Sequence, residues 1–294
     1  MTTYDKDQLT IDALSGYNDD TYERLGSDVS VTELLRPPRV NHLMDMYRDK
    51  LKVDDLKNII PSMIGTGFHD QIQKRLRDNP KWLTERRLTA TVDDIRIAGR
   101  FDALYNREVL YDIKVTKVYK YMKGDFIEWE QQLNIYDWML SKDGIKVKSL
   151  KIYMVLLDWN VGKSWKAGYP KSNIIILDLP KWTFTQQESF LKKCVSLWKN
   201  SKSNDQDKLP LCTQEERWAG SSTWKLYRKS SHNRATKTFP TEERAKEYLK
   251  VCKTNDKDKW EDAVITEVKE NPWKRCDWCA VQQFCDQYKN KLEP

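Results

Sequence analysis

Two aspartates and a lysine near the middle of the chain have the types and spacing needed for metal-assisted chemistry. The segment "IRIAGRFDALYNREVLYDIKV" (95–115) alternates apolar and polar residues on both sides of a turn at "NRE". Asp112 and Lys114 therefore share one strand face, and a hairpin can bring Asp102 beside Asp112. Two carboxylates can hold a hard cation such as Mg²⁺, which polarises a phosphate and activates water, while the lysine positions that water or offsets phosphate charge. We expect Asp112 and Lys114 to be exposed in a cleft, so that replacing them leaves the fold intact.

An ordinary polar strand face, with Asp and Lys paired across it, would explain the same three residues. Two more motifs favour a site when they are taken in order along the chain. His69 ends "GTGFH" at a predicted helix start, and "QLNIY" places Gln132 and Tyr136 four residues apart on one helix face. Each is weak alone, since a lone helical histidine is usually structural and Tyr136 also fits an apolar stripe.

Hydrophobic periodicity predicts the elements that would position these residues. Alternating segments predict strands at 86–92, 95–105, 109–115, 150–159 and 172–179, the first three forming one antiparallel meander. Helical spacing predicts helices from Ser30, over about 67–78, over 126–140 and over 185–200. Glu33 and Glu188 complete capping boxes with Ser30 and Thr185, "LRPPR" interrupts the first helix, and Phe68, Ile72 and Leu76 form a buried stripe.

Composition divides the chain into four parts. These are a loose polar segment (1–28), a main core (29–211), a small α+β insertion (212–270) and a Cys-rich C-terminal segment that packs back on the core (271–294). The core ends in the polar linker "KNSKSNDQDK", and the insertion reads as strand–strand–helix–strand.

Three cysteines near the C-terminus have metal-binding spacing. Cys276, Cys279 and Cys285 are spaced C-x2-C-x5-C, and C-x2-C is a strong chelating pattern. Tetrahedral zinc and a cubane iron–sulfur cluster both normally take four ligands. Cys194 and Cys252 fall on apolar helix stripes and are expected in the core. The remaining thiol, Cys212, is the expected fourth ligand.

Charge and hydropathy narrow the class of protein. The net charge of +7 favours an anionic partner, most simply nucleic acid, although a basic protein that is merely soluble could have the same net charge. The N-terminus has no signal-peptide pattern, and no apolar run is long enough to span a bilayer. We therefore expect an intracellular, cytoplasmic protein without membrane contact, in which reduced cysteines serve metal or core roles.

Taken in order, these motifs resemble the PD-(D/E)XK nucleases, in the branch of RecB-type and Cas4-type exonucleases. The resemblance rests on "VSVTELLRPPR", "GTGFH", "GRFDALYNREVLYDIK" and "EQQLNIY", and it covers about residues 28–290. The chain is most similar to nuclease proteins of tailed phages, which also have a segment like "PLCTQEERW" and a Cys-rich C-terminus. The resemblance implies an α/β fold with a central mixed β-sheet flanked by helices, a small α+β insertion and a metal-stapled C-terminal segment.

The resemblance also assigns roles to individual residues. It implies metal ligands at His69, Asp102 and Asp112 and at the carbonyl of Ile113, with Lys114 as the catalytic lysine. Gln132 and Tyr136 would contact the DNA backbone or orient that lysine. Two positions depart from the pattern: Asp112 stands where Cas4-type members more often have Glu, and Pro37 stands where many cluster-bearing relatives have their first cluster cysteine.

The implied function is a DNA nuclease dependent on Mg²⁺ or Mn²⁺, an exonuclease acting in phage DNA replication or recombination within the host cytoplasm. The cysteines would hold a structural [4Fe–4S] cluster by analogy, with structural Zn²⁺ as the alternative. DNA is the implied partner, together with other phage replication or recombination proteins. The alternative function is a catalytically weak or inactive nucleic-acid-binding component of an assembly with the same fold.

Overall fold

The computed structural model describes residues 26–50, 56–202, 208–220 and 222–294. The chain divides into two compact units, one of residues 1–42 and 52–209 and the other of residues 43–51 and 210–294. The predicted loose segment lies outside the described residues except for its last three, and so does half of the predicted linker.

The first unit contains eight strands and six helices among its described residues, and the second helix ends in the other unit. The strands are β1 (Val29–Ser30), β2 (Trp82–Thr84), β3 (Arg87–Val92), β4 (Ile95–Arg100), β5 (Ala103–Tyr105), β6 (Val109–Thr116), β7 (Ser149–Leu156) and β8 (Ile174–Leu179). The helices are α1 (Val31–Leu34), α2 (Pro38–Met46), α3 (Leu56–Leu76), α4 (Val118–Lys123), α5 (Ile127–Lys142) and α6 (Phe184–Ser201).

A five-stranded mixed sheet forms the centre of this unit, which confirms the predicted fold class. Its order is β2-β5-β6-β7-β8, with β6 and β7 parallel and the other neighbours antiparallel. Helices α4 and α5 lie in the crossover that a parallel β6–β7 pair requires. The apolar residues Leu110 of β6 and Leu133 of α5 are fully buried in one core, and Ile113 of β6 is also buried.

The predicted single meander is wrong, because β4 and β5 belong to different sheets. Strand β4 pairs with β3 and, in parallel, with β1, whereas β5 pairs with β2 and β6. Residues 101–102 leave the strand between them, and the Asp102 carboxylate accepts a hydrogen bond from the backbone N–H of Ile113 at 2.6 Å. The Asp102 side chain thus accepts a hydrogen bond from the backbone of β6 just before β5 begins.

Two predicted helix starts also need correction. Helix α3 begins at Leu56 and passes through Gly65 and Gly67, which is possible because each internal glycine costs only about 1 kcal/mol. Its expected stripe of Phe68, Ile72 and Leu76 is half-buried rather than buried.

Helix α6 is capped two residues earlier than expected. The Thr183 side chain accepts a hydrogen bond from the N–H of Gln186, and the Gln186 side chain accepts one from the N–H of Thr183. A glutamine can complete a capping box as a glutamate does, so Thr183 and Gln186 replace the predicted Thr185 and Glu188. The N-cap at Ser30, whose side chain accepts from the N–H of Glu33, is confirmed.

The second unit has a small sheet with its own core. Strands β9 (Thr223–Tyr227), β10 (Lys237–Phe239) and β11 (Val264–Val268) form an antiparallel sheet in the order β10-β9-β11, and α7 (Glu242–Asn255) packs against it. The predicted strand–strand–helix–strand order is confirmed. The C-terminal part contains short 3-10 turns and α8 (Asp286–Asn290), and the ring of Phe284 stacks on Tyr47 at 4.1 Å between centroids. Within the described residues, no helix is long and apolar enough to cross a membrane.

Candidate active site

Strands β5 and β6 bring the two predicted aspartates together. Ala103 pairs with Tyr111, so Asp102 and Asp112 fall at neighbouring positions of adjacent strands. The hydrogen bond from Ile113 N–H fixes the Asp102 carboxylate against the backbone of β6. The sequence prediction that a hairpin places these carboxylates side by side is therefore consistent with the observed register.

Lys114 lies between Asp112 and the helix that follows. Its ammonium donates hydrogen bonds to Asp112 Oδ1 at 3.1 Å and to Gln132 Oε1 at 3.4 Å. Asp112 Oδ2 is 2.9 Å from the same ammonium, but it is not aligned to accept a hydrogen bond. This oxygen is buried, so it keeps a lone pair without a hydrogen-bond donor among the described residues.

The expected exposure of these two residues is wrong. Asp112 is 4 % exposed, and the Lys114 side chain is 25 % exposed. The reason is that β6 is an interior strand of the sheet, and α5 lies against its polar face, where Gln132 accepts from Lys114. Replacing either residue will therefore disturb packing and charge balance, not chemistry alone.

Helix α5 supplies the support for the lysine. Gln132 accepts from Lys114, and its amide nitrogen donates to the hydroxyl of Tyr136 at 3.5 Å. Sequence analysis missed Glu128, which lies one turn before Gln132 and whose negative charge helps to raise the pKa of Lys114. The spacing 128-132-136 places all three on one helical face and could have revealed it.

A second missed residue is Gly99, at the end of β4. A Cβ atom there would lie 2.5 Å from Cε1 of Tyr136 and 2.8 Å from Cγ2 of Val31. Only a residue without a side chain lets the tyrosine ring approach this strand so closely. Gly99 therefore helps to set the position of Tyr136.

His69, from α3, approaches the other side of the pair. Its Nδ1 lies 3.6 Å from Asp102 Oδ2, and 28 % of its side chain is exposed. The structure thus gathers His69, Asp102, Asp112, Lys114, Gln132 and Tyr136, which are distant in sequence, around the start of β5 and the middle of β6.

Burial dominates the electrostatics of the site. It raises the pKa of Asp102 to about 6, and the neighbouring Asp112 charge adds to the rise, while His69, the N–H of Ile113 and Lys114 oppose it. Burial alone would lower the pKa of Lys114, but the charge and hydrogen bond of Asp112, together with the charges of Asp102 and Glu128, outweigh it, so that this pKa is raised. Burial also raises the pKa of Tyr136. Lys114 therefore stays a cation and Tyr136 a neutral hydroxyl near neutral pH.

The donor set suits a hard divalent cation in its chemistry. Two carboxylates, one imidazole and the Ile113 carbonyl are ligands that Mg²⁺ or Mn²⁺ accepts, and a cation would relieve the repulsion between Asp102 and Asp112. In the described part of the chain, however, no group of three or more His, Cys, Asp or Glu side chains is placed so that it could hold a metal ion as it stands. Metal binding here would require side chains to shift, Asp112 foremost, because it is paired with Lys114.

The C-terminal cysteines lie near one another within the second unit. Gln287 joins Cys212 to this segment, because its side chain accepts from the N–H of Cys212 at 2.8 Å and donates to the carbonyl of Cys212 at 2.9 Å. The pKa of Cys212 is raised to about 12, first by burial and then by Glu216 and the thiols of Cys285, Cys276 and Cys279, in that order. The other three cysteines thus lie close enough to Cys212 for their charges to raise its pKa.

The two remaining cysteines are placed as expected. Cys194 is buried in the core of the first unit, and Cys252 is half-buried against the core of the small sheet. Their predicted packing on the apolar sides of helices is confirmed.

Comparison with known proteins gives distant likenesses only. No protein-family model matches the chain, and no curated protein matches it either. Among solved structures, SSO0001 is 18 % identical over 67 % of this chain and 86 % of its own, with a TM-score of 0.47. A protein from Eubacterium rectale with the provisional name of exonuclease is 11 % identical over 64 % and 87 %, with a TM-score of 0.42. LHK-Exo, in complex with dAMP, is 11 % identical over 58 % and 92 %, with a TM-score of 0.30.

Proposed function

We propose that this protein is a DNA nuclease dependent on Mg²⁺ or Mn²⁺, and that it acts as an exonuclease. The observation that supports this best is the close pair of Asp102, which is half-buried, and Asp112, which is buried, beside a lysine that is itself held by Gln132. Burying two carboxylates side by side costs folding energy unless a cation compensates them. Lys114 compensates one of them, and a divalent cation would compensate the pair.

Each residue of the site has a role in this proposal. His69, Asp102, Asp112 and the Ile113 carbonyl would hold the cation, which when bound polarises the phosphate and lowers the pKa of water. Lys114, kept protonated by Asp112, offsets charge that builds on the phosphate oxygens or holds the attacking water.

Two residues of α5 position the lysine. Gln132 fixes the direction of the Lys114 ammonium, and Tyr136 fixes Gln132 through its hydroxyl. This relay leads from the apolar core to the reacting group, so the lysine is pre-oriented before substrate binds.

A surface next to the site suits a nucleic acid strand. Helix α4 follows β6 directly and presents Tyr119 and Met122, which are 68 % and 55 % exposed. Lys117 and Lys123 are also exposed, and the Lys120 ammonium lies 4.9 Å from the Trp129 ring centroid. Cations with exposed aromatic and apolar side chains bind phosphates and stack on bases. The resemblance to phage nucleases further supports a role in phage DNA replication or recombination.

We propose a structural metal site for the four cysteines. Cys212, Cys276, Cys279 and Cys285 would hold a [4Fe–4S] cluster, or Zn²⁺ in its place. The closeness of the other three thiols to Cys212 supports this, and a metal would favour the thiolate forms of Cys212 and Cys276, which burial disfavours.

One observation favours the second candidate, a nucleic-acid-binding protein with weak catalysis or none. Asp112 is engaged by Lys114, and the described donors do not form a ready metal site. Incubating the purified protein with end-labelled single- and double-stranded DNA, with and without Mn²⁺, separates the two. Mononucleotide release that needs the metal supports the exonuclease, whereas intact DNA that is nonetheless bound supports the second candidate.

A further inference from the structure

The hairpin between β9 and β10 is strongly cationic. Residues 222–241 include no Asp or Glu, whereas they contain Lys225, Arg228, Lys229, Arg234 and Lys237. Arg228, Lys229 and Arg234 are exposed in the loop, and none of the five forms an ion pair with a carboxylate among the described residues. Such a run of unneutralised charge is the electrostatic signature of a surface that binds a polyanion.

One face of the small sheet is covered, and the other is not. Leu226 and Phe239 pack with α7 and Trp260 into the core of this sheet. Because paired residues of antiparallel strands point the same way, the opposite face consists of Thr223, Lys225, Tyr227, Thr238, Val264, Thr266 and Val268. This open face has one cation and no carboxylate, and Thr238, Val264 and Thr266 are exposed.

Several carboxylates of the same region lie elsewhere, but Glu261 and Asp262 come directly before β11 and so lie beside the start of the hairpin. Glu242, Glu243 and Glu247 are on α7, where Glu242 pairs with Lys246 at 2.8 Å. Glu267 of β11 pairs across from Trp224 and so belongs to the face that α7 covers. The positive hairpin and the open face together form one surface, here called the hairpin face, on which the cations outnumber the two nearby carboxylates, Glu261 and Asp262.

We propose that the hairpin face binds duplex DNA and is a second DNA contact in addition to the candidate active site. Three strands spaced about 4.7 Å apart present a ribbon about 10 Å wide, which suits a major groove about 12 Å wide. Arg228, Lys229 and Arg234 then contact the phosphates that border the groove, and Lys225 with its threonine neighbours faces the base edges.

The same surface fits other nucleic acids less well. A-form RNA has a deep, narrow major groove that a sheet cannot enter. Single strands are held by stacking on aromatic rings, but the only aromatic residue of the open face is Tyr227, which is half-buried, and Trp224 points into the core. Duplex DNA is therefore the occupant that both the charge and the shape favour.

The test is a binding measurement with two charge-matched triple variants of the full chain. The first replaces Arg228, Lys229 and Arg234 by serine. The control replaces Lys250, Lys253 and Lys257, which line one shallow groove along α7, so that the net charge of the two variants is the same. Affinity for a fluorescent duplex of about 20 base pairs is measured across a range of salt concentrations, without added Mg²⁺ or Mn²⁺, and the DNA is checked on a gel.

We expect the hairpin triple to weaken duplex binding at least tenfold, and to reduce the slope of log affinity against log salt by about three. The control triple should change the affinity no more than about threefold, and single-strand affinity should change much less than duplex affinity in the hairpin variant. Equal losses in the two triples, equal losses for single and double strands, or an unchanged hairpin variant would each overturn the proposal. Circular dichroism confirms that both variants are folded, and because no cleavage is needed, the result is independent of the proposed nuclease function.

Discussion

At the residue scale, the ion pair of Asp112 and Lys114 serves both stability and chemistry. Asp112 is 4 % exposed, so removing the Lys114 ammonium leaves a buried carboxylate without its ion-pair partner. Lys114→Met should lower the free energy of unfolding by about 1 to 3 kcal/mol.

The double variant Asp112→Asn with Lys114→Met removes both charges together. It should recover most of that loss, because no uncompensated charge remains, while cleavage stays absent. Chemical denaturation of the single and double variants measures this coupling. A double variant no more stable than the single would show that the pair does not act as a unit.

Asp102 should make the metal-free protein less stable as the pH rises. Its pKa is about 6 in the folded state and 3.8 ordinarily, so the folded state binds the proton more tightly. The protonated Asp102 carboxyl therefore adds to the stability of the folded state below about pH 3.8, and this stabilisation is lost as the pH rises through 6.

Asp102→Asn should therefore stabilise the metal-free protein at pH 7 by up to about 3 kcal/mol, since an amide oxygen can still accept from Ile113. Thermal unfolding at pH 5 and pH 7 checks the prediction. A variant that is less stable than the wild type at pH 7 would contradict it.

At the element scale, the contact between β4 and α5 depends on a missing side chain. Gly99→Ala places a Cβ 2.5 Å from the Tyr136 ring, so the ring or the strand must move. We expect a loss of about 1 to 3 kcal/mol in stability, together with a lower cleavage rate, because Tyr136 orients Gln132.

Gly67→Ala is the matched control, since nothing lies within 4 Å of a Cβ at that helical position. There the same substitution should be neutral or stabilising by up to about 1 kcal/mol. If both variants lose the same stability, close packing at Gly99 is not the cause.

The metal content and the stability of the C-terminal segment should depend on Cys212 as much as on Cys276. Cys212→Ala should lose bound metal and lower the melting temperature together, because a ligated metal closes the chain from 212 to 276. Cys252→Ala, at a thiol packed against the small sheet, should keep the metal. Metal analysis and visible absorbance measure the occupancy, and full occupancy in Cys212→Ala would exclude it as a ligand.

The sequence predicts local patterns well and long-range pairings poorly. The face shared by Asp112 and Lys114 and the 3-4 stripe of α5 follow from periods of two and 3.6 residues, whereas the sequence allows but does not fix the register of β5 and β6. The separation of β4 from β5 could not be predicted, since it depends on parallel pairing of Val29–Ser30 with β4, far along the chain. The burial of Asp112 and the tight contact at Gly99 likewise depend on how α5 packs over the sheet.

At the scale of the whole molecule, positive charge is spread over both units. The net charge is +7, and the described cationic surfaces include α4 in the first unit and the hairpin face in the second. DNA binding should accordingly weaken steeply with salt, as counterion release requires. Binding alone, however, does not separate a nuclease from a DNA-binding protein.

The most direct test of the nuclease proposal compares two lysines in neighbouring strands. Lys114 pairs with Asp112 at the site, and Lys151 of β7 pairs with Asp178 at 2.5 Å outside it. The single-turnover cleavage rate of end-labelled DNA in Mn²⁺ is measured for the wild type, Lys114→Met and Lys151→Met. We predict metal-dependent cleavage by the wild type and Lys151→Met, and a rate at least about 100-fold lower for Lys114→Met. Equal cleavage rates for all three proteins, or no metal-dependent cleavage by the wild type, would contradict the nuclease proposal.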